Sequence, residues 1–71
     1  MTPKEIAQVQ AYLRNRFSNN RIALVPRANK DDSVEVMLDD EFLGVIFRDD
    51  EAGEVCYQFN MTVLDIDLEA L

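Results

Sequence analysis

Acidic side chains are the most concentrated chemical feature of this sequence. Asp39-Asp40-Glu41 and Asp49-Asp50-Glu51 stand on either side of a mostly apolar run, and Glu54 follows closely. Carboxylate oxygens are ligands that Ca²⁺ and Mg²⁺ prefer, so a divalent-cation or small-ligand site in the turn 49–54 is one hypothesis. The spacing lacks the pattern of a calcium-binding loop, and aspartate is common in turns. We therefore favour two turns at the ends of a strand, and predict no metal ligand.

The sequence lacks the residues that usually bind zinc or activate a nucleophile. Cys56 is the only cysteine and the chain has no histidine. A structural zinc site therefore lacks ligands, and no imidazole can activate the thiol. Acids on exposed turns also lack an apolar pocket that would raise a pKa for acid–base catalysis. We predict no enzyme, no catalytic residue and no cofactor, and we expect Cys56 to pack as a small apolar residue.

Positive charge is confined to the beginning of the chain. Residues 1–30 carry six basic groups and one acid, whereas residues 31–71 carry thirteen acids and Arg48, for a net charge of −7. A double-stranded-RNA-binding domain would need a lysine-rich second helix, but residues 65–69 are acidic here. An acidic chain gains little from counterion release. We predict neither nucleic acid nor a membrane as a partner.

The composition indicates one folded domain that spans residues 1–71. The chain is 48% hydrophobic and 30% charged, which is typical of a globular domain. The first ten residues lack the apolar segment of a signal peptide, and no apolar run reaches the length of a membrane span. A single cysteine and no export signal favour the reducing cytoplasm.

The spacing of apolar residues predicts the elements that position these side chains. Thr2-Pro3-Lys4-Glu5 has the composition of a capped helix start, and Ile6, Val9, Leu13 and Phe17 share one helical face. An asparagine after Ser18 is expected to take the left-handed position that ends this helix. Strands are predicted over residues 21–25, 34–38, 42–48 and 55–63, with a turn region over 28–33. The segment 64–71 is ambiguous, because Leu64, Leu68 and Leu71 fit one helical face while Leu64, Ile66 and Leu68 fit strand alternation.

Alternation within the strands predicts which side chains face the helix. Val34, Val36 and Leu38 are expected to point inward from the second strand. In the last strand, Val55, Tyr57, Phe59, Met61 and Val63 share one face, while Cys56, Gln58, Asn60 and Thr62 share the other.

Together these elements predict an α+β domain: an N-terminal amphipathic helix packed on a four-stranded antiparallel meander sheet, followed by a short C-terminal helix or extended tail. The strand over residues 42–48 is apolar on both faces, with Phe42 and Ile46 on one. One helix cannot cover both sides of a sheet, so the tail or another copy must cover the second face. The predicted interaction surface consists of Met37, Leu43, Val45 and Phe47, with Arg14 and Arg16 as a polar rim.

Several segments also resemble a known family. The resemblance is to a small bacterial family, mostly alphaproteobacterial, of unknown function. It implies a compact, cytoplasmic, single-domain protein and brings no activity, cofactor or catalytic residue. The segments that carry it are Leu24-Val25-Pro26-Arg27, Lys30-Asp31-Asp32-Ser33, Asp40-Glu41-Phe42-Leu43-Gly44-Val45, Asp49-Asp50-Glu51, and Phe59-Asn60-Met61 running on to Leu64-Asp65.

The function predicted from the sequence is that of a small, non-enzymatic protein-interaction module. Its partner is an unidentified protein, and a second copy of the chain is one candidate, which would make a homodimer through the second sheet face or through an edge strand. The acidic surface favours a basic partner. Cation or small-ligand binding through the turn 49–54 is the alternative.

Overall fold

The computed structural model describes residues 1–70, apart from the side chain of Lys30. It confirms the predicted α+β class, with one long helix, a four-stranded antiparallel sheet and a short C-terminal helix. The strands lie side by side in sequence order, so the sheet is a meander. The elements are α1 (Pro3–Arg16), β1 (Ile22–Arg27), β2 (Lys30–Leu38), β3 (Glu41–Asp49), β4 (Cys56–Met61) and α2 (Asp65–Glu69).

α1 begins where the sequence predicts. The Thr2 hydroxyl accepts a hydrogen bond from the Glu5 backbone N–H at 3.1 Å, and the Glu5 carboxylate accepts one from the Thr2 backbone N–H at 3.0 Å. This capping box satisfies two backbone donors at the start of the helix. The helix ends earlier than expected, so the residue in the left-handed conformation is Ser18 (φ 51°) and not an asparagine.

Short loops connect the first three strands. Asn29 (φ 62°) and Asp39 (φ 55°) adopt the left-handed backbone conformation that tight hairpins need and that Asn and Asp tolerate. The predicted turn over residues 28–33 is therefore too long, because β2 already begins at Lys30. Asp39 and Asp40 form the β2–β3 loop, so the first acidic triplet begins with a turn between strands, as predicted.

The core lies between α1 and one face of the sheet, which we call the inner face. Val34 and Val36 point inward as predicted and are each 1% exposed, whereas every residue of β4 is exposed. Pro26 lies in β1, which is an edge strand, as the sequence predicts. The buried apolar residues are Leu13, Ile22, Leu24, Val34, Val36 and Ile46.

An irregularity between β2 and β3 changes the face of two residues. Val36 pairs with Gly44 but Met37 pairs with Phe42, so Leu43 is an extra residue on β3. Leu43 therefore packs against the core on the inner face, although the sequence placed it on the opposite, outer face. Phe42 moves the other way and lies beside Met37 on the outer face. A β-bulge shifts the alternation by one residue, which simple alternation does not reveal.

The ambiguous C-terminal segment is a short helix. α2 has five residues and makes no extensive contact with any strand or with α1. Leu64 and Leu68, predicted on one helical face, are each 54% exposed. Leu71, the third residue predicted on that face, lies outside the described residues. α2 therefore extends from the end of the sheet beside Met61 and leaves the outer face uncovered.

Candidate interaction surface

The residues predicted to form an interaction surface are divided between the two faces of the sheet. Met37, Val45 and Phe47 lie on the outer face, where Phe47 is 39% exposed and the other two are half-buried. No helix in residues 1–70 packs on this face. Leu43 lies on the inner face instead, because of the bulge. The outer face is thus a partly apolar surface open to solvent.

The two predicted rim residues lie on α1, on the inner side of the sheet. Arg14 Nε donates a hydrogen bond to the Ile22 carbonyl at 2.7 Å, and Gln10 Oε1 accepts one from the Leu24 backbone N–H at 2.9 Å. These contacts tie α1 to β1 and satisfy backbone groups of that edge strand. Arg16 is exposed and forms no ion pair within the described part of the chain.

An apolar groove runs along the inner face between α1 and β4. A helix is about 10 Å wide, and strands are about 4.8 Å apart, so α1 covers about half of the sheet. Because α1 is tied to β1, and Ile46 of β3 is buried in the core, the part of the inner face that stays open lies along β4. A cavity of about 390 Å³ lies there, between Val9 and Tyr12 on α1 and Tyr57 and Phe59 on β4. Tyr12 is 62% exposed and Phe59 is 37% exposed.

β4 is an open edge of the sheet. Within residues 1–70 it pairs only with β3, and all of its residues are exposed. The segment Cys56–Met61 contains no proline and no charged residue, although 30% of the chain is charged. Natural edge strands usually carry lysine, proline or a covering segment that prevents pairing with another chain. β1 has Pro26, Arg27 and the side chains of α1, whereas β4 has none of these protections.

Glu5 joins the beginning of α1 to β3 and β4. Its Oε2 accepts hydrogen bonds from Arg48 Nε at 2.8 Å and from the Tyr57 hydroxyl at 2.7 Å. Arg48 also donates to Asp50 Oδ2 at 3.0 Å. The sequence identified Glu5 only as a capping residue, since its contacts with β3 and β4 cross 43 and 52 positions of the chain.

These hydrogen bonds hold Glu5 in its charged form. Together they lower the pKa of Glu5 from 4.5 to about 2. The Thr2 backbone N–H contributes most to this lowering, followed by the Tyr57 hydroxyl, and Arg48 also contributes. The hydrogen bond to Glu5 is also the main cause of the raised pKa of Tyr57. A carboxylate with so low a pKa is a weak general base at neutral pH. The cluster therefore has the character of a structural ion-pair network.

The acidic turns contact neighbouring groups of the same chain. Asp39 Oδ2 accepts a hydrogen bond from Arg21 Nη1 at 2.9 Å, and Asp49 Oδ1 accepts one from the Glu51 backbone N–H at 3.0 Å. Within residues 1–70, no three acidic or cysteine side chains converge as the ligands of a metal ion would. These turns therefore show no arranged set of cation ligands.

Cys56 does not have the buried position expected of it. It begins β4 opposite Asp49 and is exposed, because no helix covers the outer face at this edge. Its Sγ accepts a hydrogen bond from Gln58 Nε2 at 3.4 Å, a contact with a neutral amide that does not activate a thiol.

Comparison with known proteins identifies the family. The sequence profile of DUF3126, described as a protein of unknown function, matches residues 5–67. The chain belongs to this family. The match extends from the first turn of α1 into α2 and confirms the predicted resemblance to a family of unknown function. No curated protein and no solved structure is significantly similar to the chain. Across residues 1–70, none of the helices combines the length and apolar character of a membrane span.

Sequence reasoning missed the groove, and it named an edge strand as a possible dimer surface without identifying which edge is unprotected. The sequence places Tyr57, Phe59 and Met61 together on one face of the last strand, and in the structure this is the inner face, where they line open cavities. Two signals were available: one helix is narrower than a four-stranded sheet, and the last strand lacks charge. Neither signal alone could show which half of the sheet α1 would cover.

Proposed function

We propose that this chain is a small, non-enzymatic protein-interaction module that associates with a second copy of itself. The observation that carries the proposal is an excess of exposed surface. The folded chain exposes 5610 Å², whereas a monomeric protein of 8.2 kDa exposes about 4,500 Å². The excess of about 1,100 Å² exceeds the ~800 Å² that each partner buries in an interface of standard size.

The distribution of apolar side chains supports the same proposal. In the described part of the chain, six apolar residues are buried, while thirteen large ones are exposed. The molecule is elongated, with extents of 41 × 24 × 23 Å and a radius of gyration of 13.1 Å. A compact chain of this length would have a radius of about 11 Å. Exposed apolar surface of this extent on a small domain is typical of an interface.

The chemistry of the ionisable groups supports a non-enzymatic function. Glu5 is the carboxylate with the most strongly shifted pKa, which three hydrogen-bond donors lower. The low pKa makes Glu5 a weak base. Cys56 has no histidine anywhere in the chain to activate it. The net charge of −7 disfavours nucleic acid and anionic membrane as partners. The single cysteine supports a cytoplasmic location.

Solution mass as a function of concentration tests this proposal directly. Sedimentation equilibrium over a wide concentration range should show a dimer that dissociates to the monomer on dilution. A particle that stays monomeric at every concentration would contradict self-association. A dimer that persists would support it, because no other protein is needed to cover the exposed surface.

Cation binding by the turn 49–54 remains the alternative function. No contact among the described residues favours it, since Asp49 accepts a hydrogen bond from the Glu51 backbone and Asp50 accepts one from Arg48. A chemical-shift titration with Ca²⁺ and Mg²⁺ decides between the two functions. Saturable shifts confined to this turn would support the cation site, and unchanged spectra would exclude it.

A further inference from the structure

The two edges of the sheet differ in how their backbone groups are satisfied. On β1, the Ile22 carbonyl and the Leu24 N–H are bonded by side chains of α1. On β4, no side chain or turn of the described residues forms a hydrogen bond with the backbone, and β3 is the only neighbouring strand. A row of unpaired N–H and C=O groups is a template for another strand. The open edge of β4 therefore offers a site for strand addition.

Within this strongly acidic chain, β4 itself carries no charged residue. The acidic turn 49–54 precedes β4, and the acids of residues 65–69 follow it, while Cys56–Met61 is uncharged. Two chains that each carry −7 repel one another least where uncharged segments meet. β4 is uncharged, and its inner face also carries the apolar side chains of Tyr57, Phe59 and Met61.

We propose that β4 pairs antiparallel with β4 of a second copy about a twofold axis, which joins two four-stranded sheets into one of eight strands. This inference rests on the self-association proposed above and names the surface that forms it. Antiparallel pairing of identical strands requires the axis to be perpendicular to the sheet. Both α1 helices then lie on the same side of the joined sheet.

The arrangement accounts for the exposed side chains of β4. Tyr57, Phe59 and Met61 are 36%, 37% and 56% exposed in the single chain. Near a twofold axis, inner-face residues of β4 lie opposite inner-face residues of the second copy, because paired residues share a face. The apolar groove of each copy then opens toward the other, between the two α1 helices.

A charge-swap experiment tests the strand pairing. In the same-face register centred on residue 58, Gln58 lies opposite Gln58 of the second copy; in the register centred on 59 it lies opposite Asn60, and in the register centred on 60, Asn60 lies opposite itself. Both side chains are exposed. The double variant Gln58→Lys with Asn60→Lys should raise the dimer Kd by about tenfold or more, and the matching Glu pair should do the same. An equimolar mixture of the two variants should restore the wild-type Kd, because opposite charges then face one another.

Two controls separate β4 from the other exposed surfaces. Val25→Lys places the same charge on the outer face of the protected edge strand β1, and Phe47→Lys places it in the middle of the outer face. Neither variant should change the Kd. Circular dichroism of each variant verifies that it is folded. Loss of the dimer in Phe47→Lys, with the β4 variants unchanged, would contradict the proposal and indicate an interface on the outer face.

Hydrogen exchange supplies a readout of the backbone itself. Amides of β4 that point away from β3 should exchange more slowly as the concentration rises through the Kd. A wild-type dimer without this added protection would overturn the pairing of β4 but leave self-association in place. A wild-type monomer would overturn both, so the failures of the two proposals can be distinguished.

Discussion

Glu5 has two structural roles: it caps the start of α1, and its tertiary contacts link α1 to the sheet. Its spacing from Thr2 makes it a capping residue, and the folded chain adds hydrogen bonds from Arg48 and Tyr57. One carboxylate thereby connects the helix start to two strands. Charge-assisted hydrogen bonds of this kind are stronger than neutral ones, and the lowered pKa of Glu5 records their effect.

The lowered pKa predicts how stability depends on pH. Folding favours the ionised form of Glu5, whose pKa falls from 4.5 to about 2. Its contribution to the free energy of unfolding is therefore complete above pH 4.5 and is lost as the pH falls toward 2. Glu5→Gln should lower stability at neutral pH and flatten this dependence. Urea unfolding at a series of pH values measures both effects.

The matched control for this prediction is Glu54→Gln, which removes an exposed carboxylate from the β3–β4 turn. It should leave the steepness of the pH dependence close to that of the wild type. If Glu5→Gln and Glu54→Gln flatten the curve equally, the network around Glu5 does not stabilise the charged form.

Gly44 is required by the close approach of β4 to the bulge. An added Cβ would overlap the carbonyl oxygen of Asn60 and lie 3.0 Å from Met61 Cα, both of which are backbone atoms that cannot rotate away. Gly44→Ala should therefore lower the free energy of unfolding by about 2 kcal/mol or more. The comparison is Gly53→Ala, where φ is +86° and nothing lies within 4 Å. This change should cost about 1 kcal/mol, from backbone conformation alone, and equal losses in both variants would contradict the steric explanation.

At the scale of elements, the position of α1 decides which surfaces stay open. Arg14 donates a hydrogen bond to the Ile22 carbonyl and Gln10 accepts one from the Leu24 backbone N–H, and these two bonds hold the second half of the helix beside β1. The helix therefore covers one edge of the sheet and leaves β4 exposed at the other. A helix shifted toward β4 would have closed the groove and the open edge together. Glu5 bonds the start of α1 to Arg48 and Tyr57, so the groove opens along β4 beyond this contact.

α2 is predicted to be dispensable for folding. It has five residues, and isolated helices of that length are not stable in water. It also makes no extensive contact with the other elements. Deletion of residues 64–71 should therefore leave α1 and the sheet folded, with a change in the free energy of unfolding within about 0.5 kcal/mol. Amide NMR spectra and urea unfolding check this, and loss of dispersed signals would show that α2 completes the core.

At the scale of the whole molecule, charge opposes the association that apolar surface favours. Each chain carries −7, and acids flank β4 on both sides. The structure does not place Arg14 or Arg16 at the β4 edge, since Arg14 is bonded to β1. Two copies that meet at β4 must therefore overcome the electrostatic repulsion between their net negative charges, which acts mainly over long distances.

Salt dependence follows from this balance. At 0.1 M ionic strength, charges are screened beyond about 10 Å. Added NaCl should therefore strengthen the dimer, and we expect the Kd to fall several-fold between low and moderate salt. Sedimentation at fixed pH measures the change. A Kd that rises with salt would instead indicate an interface held by ion pairs, as the basic rim of Arg14 and Arg16 would provide.

The sequence by itself determined the α+β class, the start of α1 and the order of the strands, because these depend on local spacing. The Thr2–Glu5 capping box and the alternation in β2 lie within a few residues and survive in the structure. Family membership is also a property of the sequence, and it was predicted from short segments.

Only the tertiary structure decided the positions that depend on contacts between distant segments. The bulge that moves Leu43 to the inner face is set by how β2 and β3 pair, since alternation alone predicts the other face. The open groove along β4 depends on α1 being held beside β1 by Arg14 and Gln10. The pattern of apolar residues specifies that a helix covers the sheet, whereas side-chain contacts across the fold specify which half it covers.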